Sequence, residues 1–252
     1  MKPIILSKID AINQEFYQKF ADSFSRTRQR IQPGVARILR GIPPASNWLD
    51  VGCGTGSLAV EWMRQRRSGM YHGVDFSKPL IEEARARVAA EVTYPELKIG
   101  FSFADLTDDG WIKNMPEASW DGLMMFAVLH HIAGCKRRAR LLRCLRSLIP
   151  TGAPMYISVW QIQNSPRLMN RLLSWSAAGL DEQELEPGDA LMDWRGDKST
   201  SASSDAMRYV HLFSTDELHD LANICGFTVE DSFYSDGHEG NLGLYQFWRA
   251  VN

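Results

Sequence analysis

The chain has 252 residues, its 28 Lys and Arg against 30 Asp and Glu give a formal charge of −2, and 44% of its residues are hydrophobic. These values exclude an intrinsically disordered chain, a collagen-like repeat and a small disulfide-stapled scaffold. A chain of this length buries enough apolar surface to fold without covalent staples.

The cysteines and the N-terminus bear on the cellular compartment. The four cysteines are scattered without a CxxC pair, so the sequence spells out neither a zinc ribbon nor a thioredoxin-type redox site. The apolar run at 4–6 is much too short for a secretory segment or a membrane span. We therefore expect a soluble cytoplasmic protein with reduced thiols, no metal site and no membrane association.

The first predicted element is an amphipathic helical arm. Its apolar residues Ile5, Ile9, Ile12, Phe16 and Phe20 recur at steps of three and four, which places them on one helical stripe. Such a stripe has to cover another part of the chain.

From residue 47 onward, short apolar runs alternate with amphipathic stretches. The runs occupy 48–51, 70–74, 97–103, 122–128 and 155–160, and the clearest of the helices follows the fourth run and ends at Pro150. Strands that alternate with helices favour a parallel sheet with helices on both faces.

The alternation fails after Trp160 for about 50 residues, which is too long for a plain connection in a compact domain. We predict a helix over 166–177, and then a mobile loop through the acid-rich 181–197 and the Ser-rich 199–204. Ser214 with Glu217 forms a capping box that begins a helix, and 227–234 and 242–250 read as two antiparallel strands.

A glycine-rich motif follows the first predicted strand. It reads Asp50-Val-Gly52-Cys-Gly54-Thr-Gly56 and precedes a helix, so a backbone without side chains lets a ligand approach the helix N-terminus. The spacing differs from the GxGxxG of dinucleotide sites, and an acid precedes the first glycine. S-adenosylmethionine carries a sulfonium and an amino acid tail, whereas NAD carries a pyrophosphate. The carboxylate of Asp50 therefore suits S-adenosylmethionine, the cationic ligand, better than it suits NAD.

Two further acids end the next two predicted strands. Asp75 ends the second, where a carboxylate can accept hydrogen bonds from both ribose hydroxyls, and Asp105 ends the third, where it can hold the adenine amino group. Ligands of open α/β sheets bind along this edge. The structural alternative is that the glycines form only a tight turn and the acids only cap helices.

These motifs, in this order, resemble those of the class I S-adenosylmethionine-dependent methyltransferases over 48–160. The resemblance implies an α/β fold with a Rossmann-like seven-stranded sheet whose last two strands form an antiparallel hairpin. It also implies that further residues surround the cofactor, namely Phe76, Ala104, Leu106 and Ala127. We expect one domain over 1–252, with the helical arm at 1–45, the cofactor-binding core at 46–160, a lid-like insertion at 161–207, and the closing helix and hairpin at 208–252.

Basic and aromatic residues cluster around the expected opening. The catalytic candidates are Arg26, Arg28, His130 and His131, and the substrate-binding candidates are Trp160, Trp194, Arg208 and His211. Arginine and histidine without an evident base favour an anionic acceptor such as a carboxylate. The alternatives are that the two arginines end a solvated helix and that the two histidines only pack or cap a loop.

A closer resemblance covers most of the chain. Segments 20–28, 50–54, 128–131, 186–194 and 208–213 look like those of the eukaryotic-type tRNA methyltransferases that esterify 5-carboxymethyluridine at the wobble position. The resemblance implies tRNA as substrate, a carboxylate acceptor and a small zinc-binding activator subunit. The chain departs from that family at Met192-Asp193-Trp194, where the family usually reads Val-Pro-Trp.

Charge gives a separate indication. The net charge argues against strong solitary binding of tRNA, but 136–146 is a basic run without an acid and could carry a phosphate backbone. Its alternative is an ordinary solvated helix face. The competing functional hypotheses are a small-molecule O-methyltransferase that acts on a carboxylic acid or a phenol, and a non-catalytic partner that keeps the fold as a binding platform.

Overall fold

The computed structural model describes residues 1–19, 30–193 and 207–252. Its helices and strands are numbered here along the chain. The α-helices are α1 (Pro3–Lys19), α2 (Pro33–Leu39), α3 (Ser57–Arg64), α4 (Lys78–Ala89), α5 (Cys135–Ser147), α6 (Pro166–Met169) and α7 (Thr215–Ile224). The strands are β1 (Trp48–Val51), β2 (Gly69–Asp75), β3 (Leu97–Phe103), β4 (Gly122–Phe126), β5 (Pro154–Trp160), β6 (Leu172–Leu173), β7 (Asp189–Asp193), β8 (Met207–His211), β9 (Phe227–Ser235) and β10 (Gly243–Ala250). Within the described ranges no helix combines the length and the apolar character that crossing a membrane requires.

The large sheet has seven strands in the order β3-β2-β1-β4-β5-β10-β9. Its strands are parallel except for β10, which runs antiparallel to both β5 and β9. The predicted fold class is therefore confirmed. The register pairs Val51 with Val74 and Asp75 with Phe103, so the carboxyl ends of the first three strands meet at one edge.

Helices cover both faces of this sheet. On one face, α5 and α7 bury Leu142, Leu145 and Leu218 against the strands. On the other face, α2, α3 and α4 form a second core that includes Ile38 and Trp62. Burial of these apolar side chains is the main favourable contribution to the stability of the fold.

The insertion forms a three-stranded sheet of its own, in the order β6-β7-β8, and α1 packs against it. Ile5 and Ile9 of α1 join Leu191 and Tyr209 in one buried cluster, so the small sheet is what the apolar stripe of the arm covers. Strand β8 continues this sheet through His211, past the expected boundary at 208.

Two predictions within the insertion are wrong. The helix expected over 166–177 ends at Met169 and is followed by β6 and a 3₁₀ turn, Trp175–Ala178. The segment expected to be a mobile loop from 181 contains β7, in which Ala190, Leu191 and Met192 are buried. The acids around this strand hid a short buried run, which becomes a strand by pairing with β6 on one side and β8 on the other. The rest of the expected loop, 194–204, lies outside the described residues.

The basic run of α5 does not form a continuous basic surface. Arg138 is buried and pairs with Glu186 at 3.0 Å, and Arg137 pairs with Asp10 at 2.7 Å. Arg146 donates to several backbone carbonyls after the helix. These side chains therefore hold the insertion, the arm and the C-terminus against the core.

Candidate active site

A cavity of about 230 Å³ lies at the carboxyl ends of the first four strands, covered by α1 and by the segment 30–35. The predicted cofactor residues that line it are Asp50, Gly52, Gly54, Asp75, Phe76, Asp105, Leu106 and Ala127. Gly56 and Ala104 are not part of its wall: Gly56 precedes the first turn of α3, and Ala104 is buried in the core below the cavity. We call this space the cofactor cavity.

The glycine loop bends tightly at its first two glycines. Gly52 and Gly54 have φ angles of +81° and +53°, in the left-handed region that favours glycine. A Cβ on Gly52 would lie 2.2 Å from Cγ2 of Val128, whereas a Cβ on Gly54 would meet nothing within 4 Å. The loop therefore packs tightly on the β4 side and leaves open space at Gly54.

Asp75 fixes this loop. Its Oδ2 accepts the backbone N–H of Gly54 at 2.9 Å and its Oδ1 accepts that of Ser77 at 2.9 Å. Burial raises the pKa of Asp75, and the hydrogen bonds from these backbone amides oppose that rise. Each carboxylate oxygen can accept further hydrogen bonds, as binding of ribose hydroxyls would require.

Asp50 lies deeper in the same wall. Its carboxylate accepts a hydrogen bond from the phenol of Tyr71. Burial raises the pKa of Asp50 to about 7; the Tyr71 hydrogen bond opposes the rise and the nearby charge of Asp75 adds to it. A cation bound beside Asp50 would favour its ionised form.

The residues present suit S-adenosylmethionine. Asp105 is oriented by hydrogen bonds from the N–H and hydroxyl of Thr107, at 2.9 and 2.8 Å. The cavity thus carries three acids beside a glycine-rich loop, which matches a ligand with an ammonium, a sulfonium, two hydroxyls and an exocyclic amine. The open space at Gly54 is where a Cβ would intrude on such a ligand.

His131 lies on the wall of the cofactor cavity, paired with a residue that the sequence analysis did not single out. Its Nδ1 lies 3.0 Å from the carbonyl oxygen of Tyr209, so Nδ1 carries the proton and donates. Its Nε2 then accepts from the phenol of Tyr17 at 2.9 Å. Asn13, one turn before Tyr17, donates to the carbonyl of His131 at 3.1 Å. The sequence did contain a signal for this pair of contacts, because Asn13 and Tyr17 are polar residues four apart, next to the apolar stripe of α1.

Among the described residues, neither His130 nor His211 lines the cofactor cavity or the two other cavities considered below. His130 is buried, and its Nδ1 accepts from the backbone N–H of Trp160 at 3.3 Å. His211 is also buried, 2.8 Å from a carboxylate oxygen of Asp189 and 2.8 Å from one of Glu217. These hydrogen bonds outweigh burial and raise its pKa. Both histidines therefore sit in the supporting structure rather than at the positions expected from the sequence.

A second cavity of about 360 Å³ adjoins the first, and we call it the acceptor cavity. The two share Gln32, Val35, Phe126 and Ala127 as lining residues. Ala127 has a φ of +57°, which is rare for a residue other than glycine. Its N–H lies 3.0 Å from the carbonyl oxygen and 3.1 Å from the hydroxyl of Ser158, which hold this turn in place.

The acceptor cavity contains two of the predicted substrate residues, Trp160 and Arg208. Arg208 is 4% exposed, and its guanidinium lies 4.4 Å from the ring centroid of Trp160 and 4.9 Å from that of Phe16. Arg171, which sequence reasoning missed, also lines this cavity and pairs with Asp193 at 2.7 Å. A planar guanidinium held against aromatic faces is a built anion-binding group.

Three predicted site residues cannot be placed. Arg26, Arg28 and Trp194 lie outside the described residues. Their predicted roles rest on the resemblance alone.

The sequence matches known methyltransferases. A family profile described as a methyltransferase domain matches residues 23–232. The chain is 25% identical to a probable tRNA methyltransferase 9B of Bos taurus, over 69% of this chain and 35% of that protein. It is 29% identical to a putative methyltransferase of Encephalitozoon cuniculi, over 86% of this chain and 87% of that one. It is 27% identical to the tRNA (carboxymethyluridine(34)-5-O)-methyltransferase ALKBH8 of Mus musculus, over 59% of this chain and 20% of that protein. The chain therefore spans about a third or less of the named tRNA methyltransferases.

A solved structure shows the same fold. It is a SAM-dependent methyltransferase of Methanosarcina mazei, with a TM-score of 0.66, 19% sequence identity, and coverage of 88% of this chain and 98% of that one. The strand order, the acids along one sheet edge and the family match agree. The chain belongs to the class I S-adenosylmethionine-dependent methyltransferases.

Proposed function

We propose that this enzyme methylates a carboxylate, and specifically the carboxymethyl side chain of a wobble uridine in tRNA, to give a methyl ester. The observation that carries the proposal is the position of Arg208. This buried guanidinium lies on Trp160, in a cavity that meets the cofactor cavity at Ala127.

The chemistry requires little beyond positioning. S-adenosylmethionine supplies a methyl group on a positively charged sulfur. A carboxylate oxygen of the acceptor forms the new bond to the methyl carbon as the carbon–sulfur bond breaks, and the neutral thioether leaves. An ionised carboxylate has no proton to lose, so no base is needed. Arg208 can hold the acceptor charge, and the two cavities meet where the transfer would occur.

The tRNA assignment is supported by the names of two relatives and by the resemblance of several segments. From that resemblance we infer that Arg26, Arg28 and Trp194 complete the acceptor site together with His131. We also infer that a small zinc-binding subunit activates the enzyme. The two relatives named for tRNA are considerably longer than this chain, so these roles stand as parts of the proposal.

The test is transfer of tritiated methyl from S-adenosylmethionine to bulk tRNA, followed by mild alkali. Label released as methanol supports a methyl ester in RNA. Label that resists alkali rules out the ester and keeps RNA as the substrate. A protein that binds the cofactor but labels no tRNA, even with a cell extract that could supply an activator, contradicts the tRNA assignment.

A second candidate is methylation of a small phenol or carboxylic acid, and the Tyr17–His131 pair favours the phenol. With its proton on Nδ1, His131 presents Nε2 at the cavity wall as an acceptor, 2.9 Å from the Tyr17 phenol. A phenol must lose a proton during methyl transfer, and this pair could receive it. Transfer of label to a panel of aromatic hydroxyl compounds and acids, with none to tRNA, would favour this function.

A further inference from the structure

A third cavity, of about 280 Å³, is lined by residues of α2, α3 and α4 and by the start of the segment 30–35. Arg30, Ile31 and Ser57 line both this cavity and the cofactor cavity. Gln32 and Val35 of the same segment line the acceptor cavity. The segment 30–35 therefore separates three adjoining spaces.

The lining of this third cavity carries more positive than negative side chains. It includes Arg30, Arg64 and Arg87 and one acid, Glu61. Arg64 also pairs with Glu91, which is outside the lining, at 2.6 Å. Glu61 accepts a hydrogen bond from the side-chain amide of Gln65 at 2.8 Å. Three arginines in the lining, against Glu61 in the lining and Glu91 paired with Arg64, leave a net positive charge that favours an anion with several acceptor oxygens.

Arg87 links this cavity to the glycine loop. Its Nη1 lies 3.2 Å from the carbonyl oxygen of Thr55, 2.9 Å from the Thr55 hydroxyl and 2.9 Å from the Ser57 hydroxyl. All the hydrogen bonds that Arg87 makes to described residues start from its Nη1. Its Nε and Nη2 therefore have no acceptor among the described residues, and the guanidinium is fixed in position by the loop.

We propose that this third cavity binds a phosphate group of the RNA backbone next to the methylated nucleotide. The proposal rests on the proposed RNA substrate, and it adds a site that the methyl transfer itself does not require. A nucleotide inserted into the acceptor cavity would bring its backbone near the segment 30–35, which contributes Gln32 and Val35 to the acceptor cavity and Arg30 and Ile31 to the third cavity. An arginine-lined recess at that position neutralises a phosphate and fixes the register of the RNA.

The experiment measures tRNA affinity against salt concentration for the full chain and two variants. Arg64→Gln removes a charge that lines the third cavity but not the cofactor cavity. Arg85→Gln is the matched control: Arg85 lies on α4 two residues before Arg87, donates to Glu82 and to the Phe101 carbonyl, and is not part of the cavity wall. Both variants lose one positive charge from an exposed side chain.

We expect Arg64→Gln to weaken tRNA binding at low salt by about tenfold and to make the log–log salt dependence shallower by about 0.7. Arg85→Gln should leave both quantities near the wild-type values, and S-adenosylmethionine affinity should be the same in all three proteins. Equal effects of the two variants on tRNA binding would overturn the proposal, because they would indicate general electrostatics rather than a site.

Two further outcomes separate this site from the proposed function. If Arg64→Gln weakens tRNA binding as expected but the wild-type protein forms no methyl ester, the phosphate site is supported and the proposed ester formation is wrong. If calorimetry shows that inorganic phosphate binds in an Arg64-dependent manner while tRNA binding ignores Arg64, the ligand is a free phosphate and the RNA assignment is wrong.

Discussion

The phenol of Tyr17 lies 2.9 Å from Nε2 of His131, and this contact joins the first helix to the turn after β4. Both residues line the cofactor cavity. The Tyr17 ring also meets the ring of Phe76 edge to face, with centroids 5.4 Å apart. The arm is therefore built into the catalytic region and is more than a cover over the small sheet.

Removing the Tyr17 hydroxyl should lower kcat. In Tyr17→Phe, the His131 ring loses the donor that orients its Nε2, and we expect a decrease in kcat of about tenfold and a loss of about 1 kcal/mol of unfolding free energy. Steady-state methyl transfer and denaturant unfolding measure these effects. Tyr94→Phe is the control, since the Tyr94 hydroxyl donates to the carbonyl of Arg67 at 2.8 Å, away from the cavity walls. Equal kcat losses in the two variants would contradict a role at the site.

A methyl group on Gly54 should abolish cofactor binding without unfolding the protein. Gly54 has a φ of +53° and open space around its missing Cβ, so Gly54→Ala costs about 1 kcal/mol of backbone strain but intrudes on the ligand. Gly152→Ala carries a similar strain, with a φ of +84° and open space, in the turn before β5. Calorimetric titration with S-adenosylhomocysteine should find binding lost only in Gly54→Ala. Retained affinity in that variant would mean that the ligand does not approach the loop.

Loss of the Asp75 carboxylate should weaken cofactor binding by about 100-fold. Asp75→Ala removes the acceptor for ribose hydroxyls and also releases the backbone amides of Gly54 and Ser77. Asp108→Ala is the control, because Asp108 accepts only from the Gly110 N–H at 3.1 Å within the described chain and lies off the cavity wall. Unchanged cofactor affinity in Asp75→Ala would disprove the ribose placement.

Cofactor affinity should fall as the pH decreases below neutrality. Burial raises the pKa of Asp50 to about 7, so the ionised form that can pair with the ligand ammonium is depleted below that pH. The dissociation constant should rise toward tenfold per pH unit, and Asp50→Asn should bind weakly with a flat profile. Titrations in matched-ionic-strength buffers on both sides of neutrality measure this. A flat wild-type profile would show that Asp50 does not hold the ammonium.

Arg208 should control the acceptor and not the cofactor. Arg208→Gln should raise KM for the anionic acceptor by about tenfold or more and leave the dissociation constant of S-adenosylmethionine unchanged. Arg208→Lys should restore little of the acceptor affinity, because an ammonium cannot reproduce the planar guanidinium that lies over the Trp160 ring. Arg249→Gln is the control, since Arg249 pairs with Glu230 on the far hairpin. If Arg208→Gln lowers cofactor affinity and leaves KM for the acceptor unchanged, the acceptor assignment is wrong.

Local patterns were sufficient to predict the cofactor edge of the sheet. Asp75 is the last residue of β2, and Gly52, Gly54 and Asp105 follow β1 or β3 within a few residues. Parallel strands end at the same edge, so sequence order alone brings these residues together. The acceptor side could not be derived in this way. Arg171 is separated from Arg208 by two strands of the small sheet, and nothing in the composition of that segment indicated that it folds back.

The positions of individual histidines and arginines also depend on how deeply the fold buries them. His130 and His131 are adjacent in sequence, yet only His131 reaches a cavity wall. Arg138 belongs to a helix that looked uniformly basic, and it is buried against Glu186. A residue type gives its chemistry, but its solvent exposure and its partner depend on distant segments that pack beside it.

The sequence by itself predicted the α/β fold and the glycine-rich ligand site, because periodicity and a local strand–loop–helix motif are encoded in contiguous residues, and the resemblance of its motifs to a known family supplied the methyltransferase class. Only the tertiary structure decided that Tyr17 closes the cofactor cavity and that Arg208 lies buried on Trp160 beside it. These contacts join residues far apart in the chain, and their geometry depends on the packing of whole elements, which no local pattern contains.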